Sequence, residues 1–240
     1  MSDFDFEGVF DEDYLYFYEQ MLTPERTAAE VEQIAELFGR RGDVLDCPCG
    51  HGRISNALAE RGYRITGLDQ TELFLERARA DAAARGVDVE YVKGDMRELP
   101  WRDRFDGLLN WFTSFGYFDD ETNVAVLRQF HDALRPGGRL VLETMHSARL
   151  FRIFQPMHGM ERGEDLMIDN VKIDFETSRT HTERIIVRGG RVRRTHVIVR
   201  LYSYTELRDA LAGVGFTDIR PGGELSLESR LLVVADRPAS

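Results

Sequence analysis

The chain has 240 residues, of which 42% are hydrophobic and 30% charged, as expected for a soluble globular protein of one or two domains. Its formal net charge of -11 argues against a nucleic-acid-binding protein, which needs a positive surface to release counterions from phosphates. No stretch approaches the roughly 18 consecutive apolar residues of a membrane span, and the acidic N-terminus does not resemble a signal peptide, so we expect a cytoplasmic protein without a membrane partner.

Short β-branched runs alternate with amphipathic runs between residues 43 and 144. This pattern predicts strands at residues 44–47, 63–69, 89–93, 105–110 and 139–144, with helices at 53–60, 71–85 and 121–134. Arg135-Pro136-Gly137-Gly138 predicts a stop and turn after the last of these helices. Strands that alternate with helices through short connections form right-handed βαβ units, so we expect a parallel sheet covered on both faces.

The pattern changes after residue 144. Val171, Ile173 and Phe175 alternate with charged residues, and residues 184–187 and 192–202 flank a Gly-Gly turn, which predicts inserted antiparallel strands. Thr205 is expected to cap a helix that reaches residue 214, and strands at 217–220 and 231–235 return the chain to the main sheet. The apolar face of the insertion needs a partner, so we expect it to serve as a lid and as a homodimer contact.

Seven arginines between residues 179 and 200 run against the acidic balance of the chain. They form either a solvated hairpin face or a rim that attracts anions near a substrate entrance. Arg200 and Arg230 would recruit an acceptor carrying a carboxylate or phosphate if they face inward. Otherwise they pair with some of the 42 acidic side chains.

The first strand leads through Asp46 into the turn Cys47-Pro48-Cys49-Gly50-His51-Gly52. A strand, a glycine turn and a helix N-terminus can bind a polar ligand at the carboxyl edge of a sheet, although a plain tight turn would have the same sequence. The match to the dinucleotide pattern G-x-G-x-x-G is weak, because Ser55 occupies its third position. Two neighbouring thiols make no zinc site, so no metal is expected.

Two further acids follow the next two strands. Asp69 can accept hydrogen bonds from both hydroxyls of a ribose, or can cap the helix that follows. Asp95 can accept from an adenine amine while Met96 packs on the ring, or can be an ordinary loop acid. Three acids at the ends of successive parallel strands meet at one edge, which favours a cofactor with a cationic aminoacyl end, a ribose and an adenine.

The segments VLDCPCGHGR, GLD, GDMRELP, FDGLLNWFTSFGYFDD and LRPGGRLVLE resemble, in order and spacing, the motifs of class I S-adenosylmethionine-dependent methyltransferases. RLYSYTEL and SRLLVVA are similar to the C-terminal half of a bacterial small-molecule subgroup, close to the sugar-amine N-methyltransferases of antibiotic pathways. The resemblance implies an α/β fold with a Rossmann-like, mostly parallel seven-stranded sheet and an inserted antiparallel β lid. It divides the chain into an N-terminal helical cap (1–42), a donor-binding core (43–147), the lid and dimerisation sheet (148–203) and a C-terminal segment that completes the sheet (204–240).

The resemblance also implies roles for the loop after the first strand. Asp46 would orient this loop, and Pro48, Gly50 and Gly52 would let its backbone meet the methionine part of S-adenosylmethionine. Pro48 stands where glycine is commoner in the family, but it keeps the carbonyl that would accept a hydrogen bond from the donor's amine.

The later strand ends would hold the rest of the donor. Asp69, with Gln70 beside it, would bind the ribose, and Asp95 and Met96 would flank the adenine. Asn110, at the end of the fourth strand, would lie near the sulfonium and the methyl acceptor.

In related enzymes an N-terminal segment closes over the donor, and this chain offers Tyr14, Tyr18 and Arg26 there. Arg26 would pair with the donor's carboxylate through two hydrogen bonds. Alternatively, it is a surface residue in the first turn of the helix that follows Pro24.

The acceptor is expected to be a small molecule that is methylated at nitrogen or oxygen. Aromatic residues would wall its pocket: Trp111, Phe112, Phe115, Tyr117 and Phe118. A neutral amine needs only alignment, to which Tyr117 would contribute, whereas a hydroxyl needs a base. His146, which follows the fifth strand, is the candidate base, or else a partly exposed loop histidine.

The donor motifs alone leave a second class of function open. A protein that binds S-adenosylmethionine without methylating, either a cyclase acting by internal displacement or a regulatory binder, would keep the same donor site. A nicotinamide oxidoreductase is a more distant alternative. A gain of one methylene in the product mass would identify the methyltransferase.

Overall fold

The computed structural model describes residues 6–239, and within them eleven strands and eight helices. The strands are β1 Asp43–Asp46, β2 Arg64–Asp69, β3 Val89–Lys93, β4 Phe105–Asn110, β5 Leu134–Thr144, β6 Met157–Arg162, β7 Asp165–Asp174, β8 Arg179–Arg188, β9 Arg191–Arg200, β10 Thr217–Pro221 and β11 Leu231–Asp236. The helices are α1 Phe6–Val9, α2 Glu12–Tyr18, α3 Pro24–Phe38, α4 Arg53–Glu60, α5 Glu72–Arg85, α6 Asp120–Ala133, α7 Ser147–Ile153 and α8 Tyr204–Gly213.

The main sheet has seven strands in the order β10-β11-β5-β4-β1-β2-β3. Strands β1 to β5 are parallel, and β11 is antiparallel to both β5 and β10. The expected Rossmann-like, mostly parallel seven-stranded sheet is therefore confirmed. The chain order reverses between β1 and β4, and ligands of such sheets bind at the carboxyl ends of the strands at this switch point.

Helices cover both faces of the main sheet because each amphipathic helix buries one apolar stripe. On one face, α6 and α8 contribute the buried residues Val126, Leu127, Phe130, Leu207 and Leu211. On the other, α3 and α4 contribute Val31, Ile34, Phe38, Ile54 and Leu58. This two-sided packing keeps the strand ends in fixed relative positions.

The inserted segment forms a separate antiparallel sheet in the order β6-β7-β8-β9. Gly189 and Gly190 both have positive φ in the β8–β9 turn, as the predicted hairpin requires. Strand β6 and helix α7 are additions to the predicted elements, since neither has a clear period in the sequence. Phe175 lies beyond the end of β7 and is exposed, so the predicted apolar face is limited to the strand itself.

Two boundaries differ from the sequence-based expectation. Ser203, and not Thr205, caps α8, because Ser203 and Glu206 form a complete capping box. Strand β5 begins directly after α6 and includes the segment 135–138, which was predicted as a turn. A shift of register between β4 and β5 near Phe105 accommodates this segment within the ladder.

The first two helices, α1 and α2, contact the inserted sheet, whereas α3 packs on the main sheet. Phe17 is fully buried against Met167 and Ile186 of that sheet. Arg188 and Arg193 of the hairpin both bind Asp13 of α2. The first five residues of the predicted cap, 1–42, lie outside the described residues. None of the described helices combines the length and the apolar character needed to cross a membrane.

Candidate functional site at the carboxyl edge of the sheet

The loop between β1 and α4 is fixed by backbone hydrogen bonds to both neighbouring strands. Cys47 N donates to Leu109 O at 2.9 Å, and Cys49 N donates to Leu68 O at 2.9 Å. Gly50 has φ +55°, and a Cβ there would meet nothing within 4 Å, so its backbone conformation and open surroundings both suit a ligand-facing turn.

Gly52 has a different reason to be glycine. It is the N-cap of α4 with φ +77°, and a Cβ there would collide with Tyr91 and Ala78. It is absent from the pocket lining, so it serves helix packing at this point of the loop.

Asp46 is 2% exposed, and its Oδ2 accepts a hydrogen bond from the Ser55 hydroxyl at 2.5 Å. Burial raises its pKa to about 7, since the charged form loses solvation that the Ser55 hydrogen bond and Arg53 only partly replace. The charged form of the carboxyl group beneath the loop is therefore disfavoured.

Asp69 binds backbone amides of the two loops that follow β1 and β2. Its Oδ2 accepts from Gly50 N at 2.8 Å and its Oδ1 from Thr71 N at 2.9 Å, so it ties two loops together. Its side chain also lines the pocket described below, beside Gln70. Burial raises the pKa of Asp69, opposed by these backbone hydrogen bonds. Each carboxylate oxygen retains a further lone pair for a ligand.

The loop after β3 divides its residues between the pocket and the surface. Gly94 and Met96 line the pocket. Asp95, between them, directs both oxygens to Arg97, accepting from Nη2 at 2.6 Å and from the backbone N at 2.8 Å. The structure therefore brings Met96, but not the Asp95 carboxylate, to the pocket wall.

Asn110 is fully buried at the end of β4. Its Nδ2 donates to Cys47 O at 2.8 Å, which joins the ends of β4 and β1. Its Oδ1 makes no hydrogen bond within the described part of the chain. Asn110 thus braces the loop from behind and does not line the pocket.

One pocket collects most of the predicted donor-site residues at this sheet edge. Its lining includes eight of the predicted site residues: Tyr14, Asp46, Pro48, Gly50, Asp69, Gln70, Met96 and Tyr117. Rings from the N-terminal segment cover the pocket and form what we call the aromatic roof. The ring centres of Phe10 and Tyr117 lie 5.9 Å apart, and those of Tyr14 and Phe74 lie 5.7 Å apart. Burial raises the pKa of both Tyr14 and Tyr117, so both phenols stay neutral at ordinary pH.

The pocket lining also includes residues that the sequence analysis did not propose as site residues, among them His51, Arg53 and Phe74. Burial and the nearby Arg53 lower the pKa of His51 to about 4, so the ring is neutral near pH 7. Arg53 is the first residue of α4, where a cation opposes the helix dipole, and this unfavourable position was a signal of another role.

Tyr18 and Arg26 lie outside this pocket lining. Tyr18 stacks on Tyr14 at 4.2 Å and accepts a hydrogen bond from Arg184 of the inserted sheet at 3.2 Å. Arg26 binds Glu30 at 2.9 Å, and its guanidinium lies 5.2 Å from the centre of the Phe112 ring. Tyr18 and Arg26 therefore contact the pocket-lining residues Tyr14 and Phe112, respectively, and do not line the pocket themselves.

His146 also lies outside the pocket lining. It is the N-cap of α7 and forms an isolated bridge with Tyr202. Its Nδ1 is buried and makes no hydrogen bond within residues 6–239.

Arg200 and Arg230 both pair with acids. Arg200 binds Asp120 and Glu206, and Arg230 binds Glu143 at 3.0 Å. Arg230 nevertheless lies at the rim of a neighbouring depression of about 470 Å³ that Arg26 and Trp111 also line.

The chain resembles known methyltransferases over much of its length. The family model described as "Methyltransferase domain" matches residues 44–138. A Geobacillus sp. (strain WCH70) protein, named provisionally as a methyltransferase, is 25% identical over 218 residues, which are 86% of this chain and 88% of that protein. The cypemycin N-terminal methyltransferase of a Streptomyces species is 35% identical over 153 residues, which are 60% of each chain.

Solved structures share the whole fold, including the inserted sheet. The CcbJ methyltransferase from Streptomyces caelestis superposes with a TM-score of 0.81 at 20% identity, over 99% of this chain and 100% of that one. CalS10 is an amino pentose methyltransferase from Micromonospora echinaspora solved with bound S-adenosylmethionine. It superposes with a TM-score of 0.68 at 21% identity, over 96% of this chain and 99% of that one. These likenesses reach beyond the core to the N-terminal helices and the insertion.

Proposed function

Because this chain is an S-adenosylmethionine-dependent methyltransferase of the class I fold, we propose that it methylates a nitrogen or oxygen atom of a small molecule bound under its aromatic roof. One observation carries the proposal: a pocket at the strand ends, with the buried acids Asp46 and Asp69 below and the rings of Tyr14 and Tyr117 above. This arrangement provides a polar floor for the donor and an apolar, water-poor space for the transfer.

We propose that the loop after β1 receives the methionine part of the donor. Pro48 and Gly50 line the pocket, and the positive φ of Gly50 turns the backbone toward it. Asp46 and Asn110 lie behind the loop and fix its shape through Ser55 and Cys47. A loop held in this way needs little reorganisation when the donor binds.

The ribose and adenine are proposed to lie along the ends of β2 and β3. Asp69 and Gln70 line the pocket where the ribose hydroxyls would be, and Asp69 keeps lone pairs for them. Met96 provides an apolar, polarisable surface for the adenine ring. Asp95 does not line the pocket and its carboxylate binds Arg97, so we assign it the weaker part of this contact.

The donor's carboxylate needs a cation, and two arginines are near. Arg53 lines the pocket, and its guanidinium lies 5.6 Å from the centre of the Phe112 ring. Arg26 lies over the same ring, and both arginines bind Glu30. We propose Arg53 as the direct carboxylate partner, with Arg26 beside it, because Arg53 already faces the pocket.

The aromatic roof supports an amine acceptor over a hydroxyl acceptor. A neutral amine requires alignment and desolvation, which the rings of Phe10, Tyr14 and Tyr117 can supply. A hydroxyl requires a base, and His146 would have to move into the pocket to act as one. The amino pentose methyltransferase of similar fold is consistent with an amine.

We further propose that the N-terminal cap and the inserted sheet act together as a lid over the donor. Phe10 and Tyr14 line the pocket, while Asp13 and Tyr18 of the same segment bind arginines of the insertion. The proposal keeps the division into an N-terminal cap (1–42), a core (43–147), a lid (148–203) and a C-terminal segment (204–240).

A homodimer and a cytoplasmic location complete the proposal. The exposed side chains that support a dimer contact flank the inserted sheet: Phe151, Ile153, Met157 and Phe175. The ring centres of Phe151 and Phe175 lie 5.6 Å apart, so the two rings form one apolar patch, which oligomerisation would cover. Cys47 and Cys49 are both free thiols, as a reducing compartment allows.

Donor binding and methylation are tested separately. Calorimetry should show binding of S-adenosylhomocysteine but not of NAD, and Asp69→Ala should weaken it by about 1–3 kcal/mol, because ribose hydroxyls would lose their acceptor. Mass spectrometry of a panel of amines and phenols, incubated with enzyme and S-adenosylmethionine, should show the gain of one methylene. Unchanged affinity in a folded Asp69→Ala protein would exclude the ribose assignment.

A further inference from the structure

The turn that follows β4 holds its backbone in an unfavourable conformation. Phe112 and Thr113 have φ of 63° and 60°, two successive residues with side chains in the left-handed region. A β-branched residue such as Thr113 rarely adopts this conformation, which costs of the order of 1–3 kcal/mol and persists only where neighbouring groups enforce it. Trp111, Phe112 and Ser114 of this turn all line the donor pocket.

The neighbouring group that enforces the turn is Glu143, near the end of β5. Its Oε2 accepts from Phe112 N at 2.9 Å, and its backbone carbonyl accepts from Thr113 N at 3.3 Å. Both strained residues thus donate to this one glutamate. Arg230, at the start of the segment leading into β11, donates to the same Oε2 at 3.0 Å.

Glu143 is expensive to bury, so its presence calls for a function. The side chain is 2% exposed, and its Oε1 makes no hydrogen bond to the described residues. Burial raises the pKa of Glu143, while Arg230 and the Phe112 amide oppose this shift. A well-packed apolar residue would be more stable at such a site unless the carboxylate has a specific task.

The turn aims the Phe112 ring into a group of three guanidinium groups. The Cζ atoms of Arg26, Arg53 and Arg230 lie 5.2, 5.6 and 5.4 Å from the centre of this ring. Cation–π contacts of this kind are worth about 0.5–2 kcal/mol each and depend on ring position. The ring is therefore a shared support whose place is set by the Phe112 backbone.

We propose that Glu143 is a positioning residue for donor binding: it holds the strained Phe112–Thr113 turn so that the Phe112 ring keeps Arg53 directed at the aminoacyl end of S-adenosylmethionine. Glu143 itself touches neither donor nor acceptor. The inference rests on the proposed assignment of Arg53 to the donor's carboxylate. It adds Glu143 as the residue that keeps Arg53 in position for this contact.

The test compares two ligands that differ in the aminoacyl group. S-Adenosylhomocysteine carries it, whereas 5′-methylthioadenosine has the same adenosine and sulfur without it. Calorimetry on Glu143→Ala should show S-adenosylhomocysteine binding weakened by about tenfold or more and 5′-methylthioadenosine binding within twofold of the wild type. Glu143→Gln keeps an oxygen for the Phe112 amide. Its affinity for S-adenosylhomocysteine should lie between those of the wild type and Glu143→Ala.

Asp236→Asn is the matched control. Asp236 binds Arg139 across the same strand pair, β11 and β5, but at the opposite end of the sheet. It should leave the affinity for both ligands unchanged. If Glu143→Ala does not fold, Glu143→Gln provides the comparison, since it removes the charge that Arg230 binds and weakens the acceptor of the Phe112 amide.

The outcomes separate the inference from the assignment on which it rests. Equal losses for the two ligands in the Glu143 variants, or no loss for either, would overturn the positioning role. Arg53→Met tests the assignment: if it binds S-adenosylhomocysteine as the wild type does, Arg53 does not hold the carboxylate. If Arg53→Met loses affinity for S-adenosylhomocysteine but not for 5′-methylthioadenosine, and the Glu143 variants show no such selective loss, only the positioning role fails.

Discussion

Asp46 should make the stability of the unliganded enzyme depend on pH in a direction opposite to that of a salt-bridged carboxylate. Its pKa is about 7 in the folded chain against 3.8 as the ordinary value, because burial penalises the charged form. Between these values the folded state binds the extra proton, so stability falls as pH rises from about 4 to about 7 and is level above.

The size of this effect follows from the same two values. A difference of about three pKa units corresponds to about 4 kcal/mol of penalty above pH 7, since one unit is about 1.4 kcal/mol. At pH 5 the penalty is only about 2 kcal/mol, because Asp46 is still protonated in the folded state while the unfolded chain has largely ionised. Asp46→Asn removes this dependence and keeps the size of the side chain.

Chemical denaturation of the wild type and Asp46→Asn at pH 5, 6, 7 and 8 would measure this pH dependence of stability. Relative to the wild type, Asp46→Asn should gain about 2–3 kcal/mol in the free energy of unfolding between pH 5 and pH 8. Any constant offset from the altered Ser55 hydrogen bond cancels in this comparison. Asp43→Asn is the control: Arg64 lowers the pKa of Asp43, so its curve should stay parallel to the wild type in this range. Parallel curves for Asp46→Asn as well would refute the reasoning.

Three further predictions concern the lid, the base and the dimer. Arg184→Met should weaken S-adenosylhomocysteine binding severalfold in calorimetry, because Tyr18 loses its hydrogen bond to the insertion and the buried Asp169 loses both of its hydrogen bonds to Arg184. Wild-type affinity would show that this contact between cap and insertion does not affect donor binding. His146→Ala should lower kcat less than tenfold, because the ring lies outside the pocket, and a loss of about 10²–10⁴-fold would instead identify it as a base. Phe175→Glu should turn a dimer into a monomer in light scattering at micromolar concentration, and a wild type that is already monomeric would remove the dimer proposal.

The sequence by itself determined the core of this protein. The alternation of β-branched and amphipathic runs from residue 43 to 144 is a local property, so strands and helices followed from it within a few residues. The carboxyl ends of parallel strands meet at one edge, which is why Asp46, Asp69 and Asp95 were predicted to lie together. Asp46 and Asp69 do line one pocket, with Met96 in place of its neighbour Asp95. The turn at Gly189-Gly190 was also predictable, because two successive glycines suit the positive φ that this turn requires.

Only the tertiary structure decided which side chains face the pocket. The carboxylate of Asp95 and the guanidinium of Arg26 do not line the donor pocket, because Arg97 and Glu30 bind them. Glu143 and Phe112 are 31 residues apart and meet because β4 and β5 are neighbours in the sheet. Left-handed φ at Phe112 and Thr113 has no local sequence signal, since neither residue favours it, and it exists because a buried carboxylate supplied by the next strand holds it there.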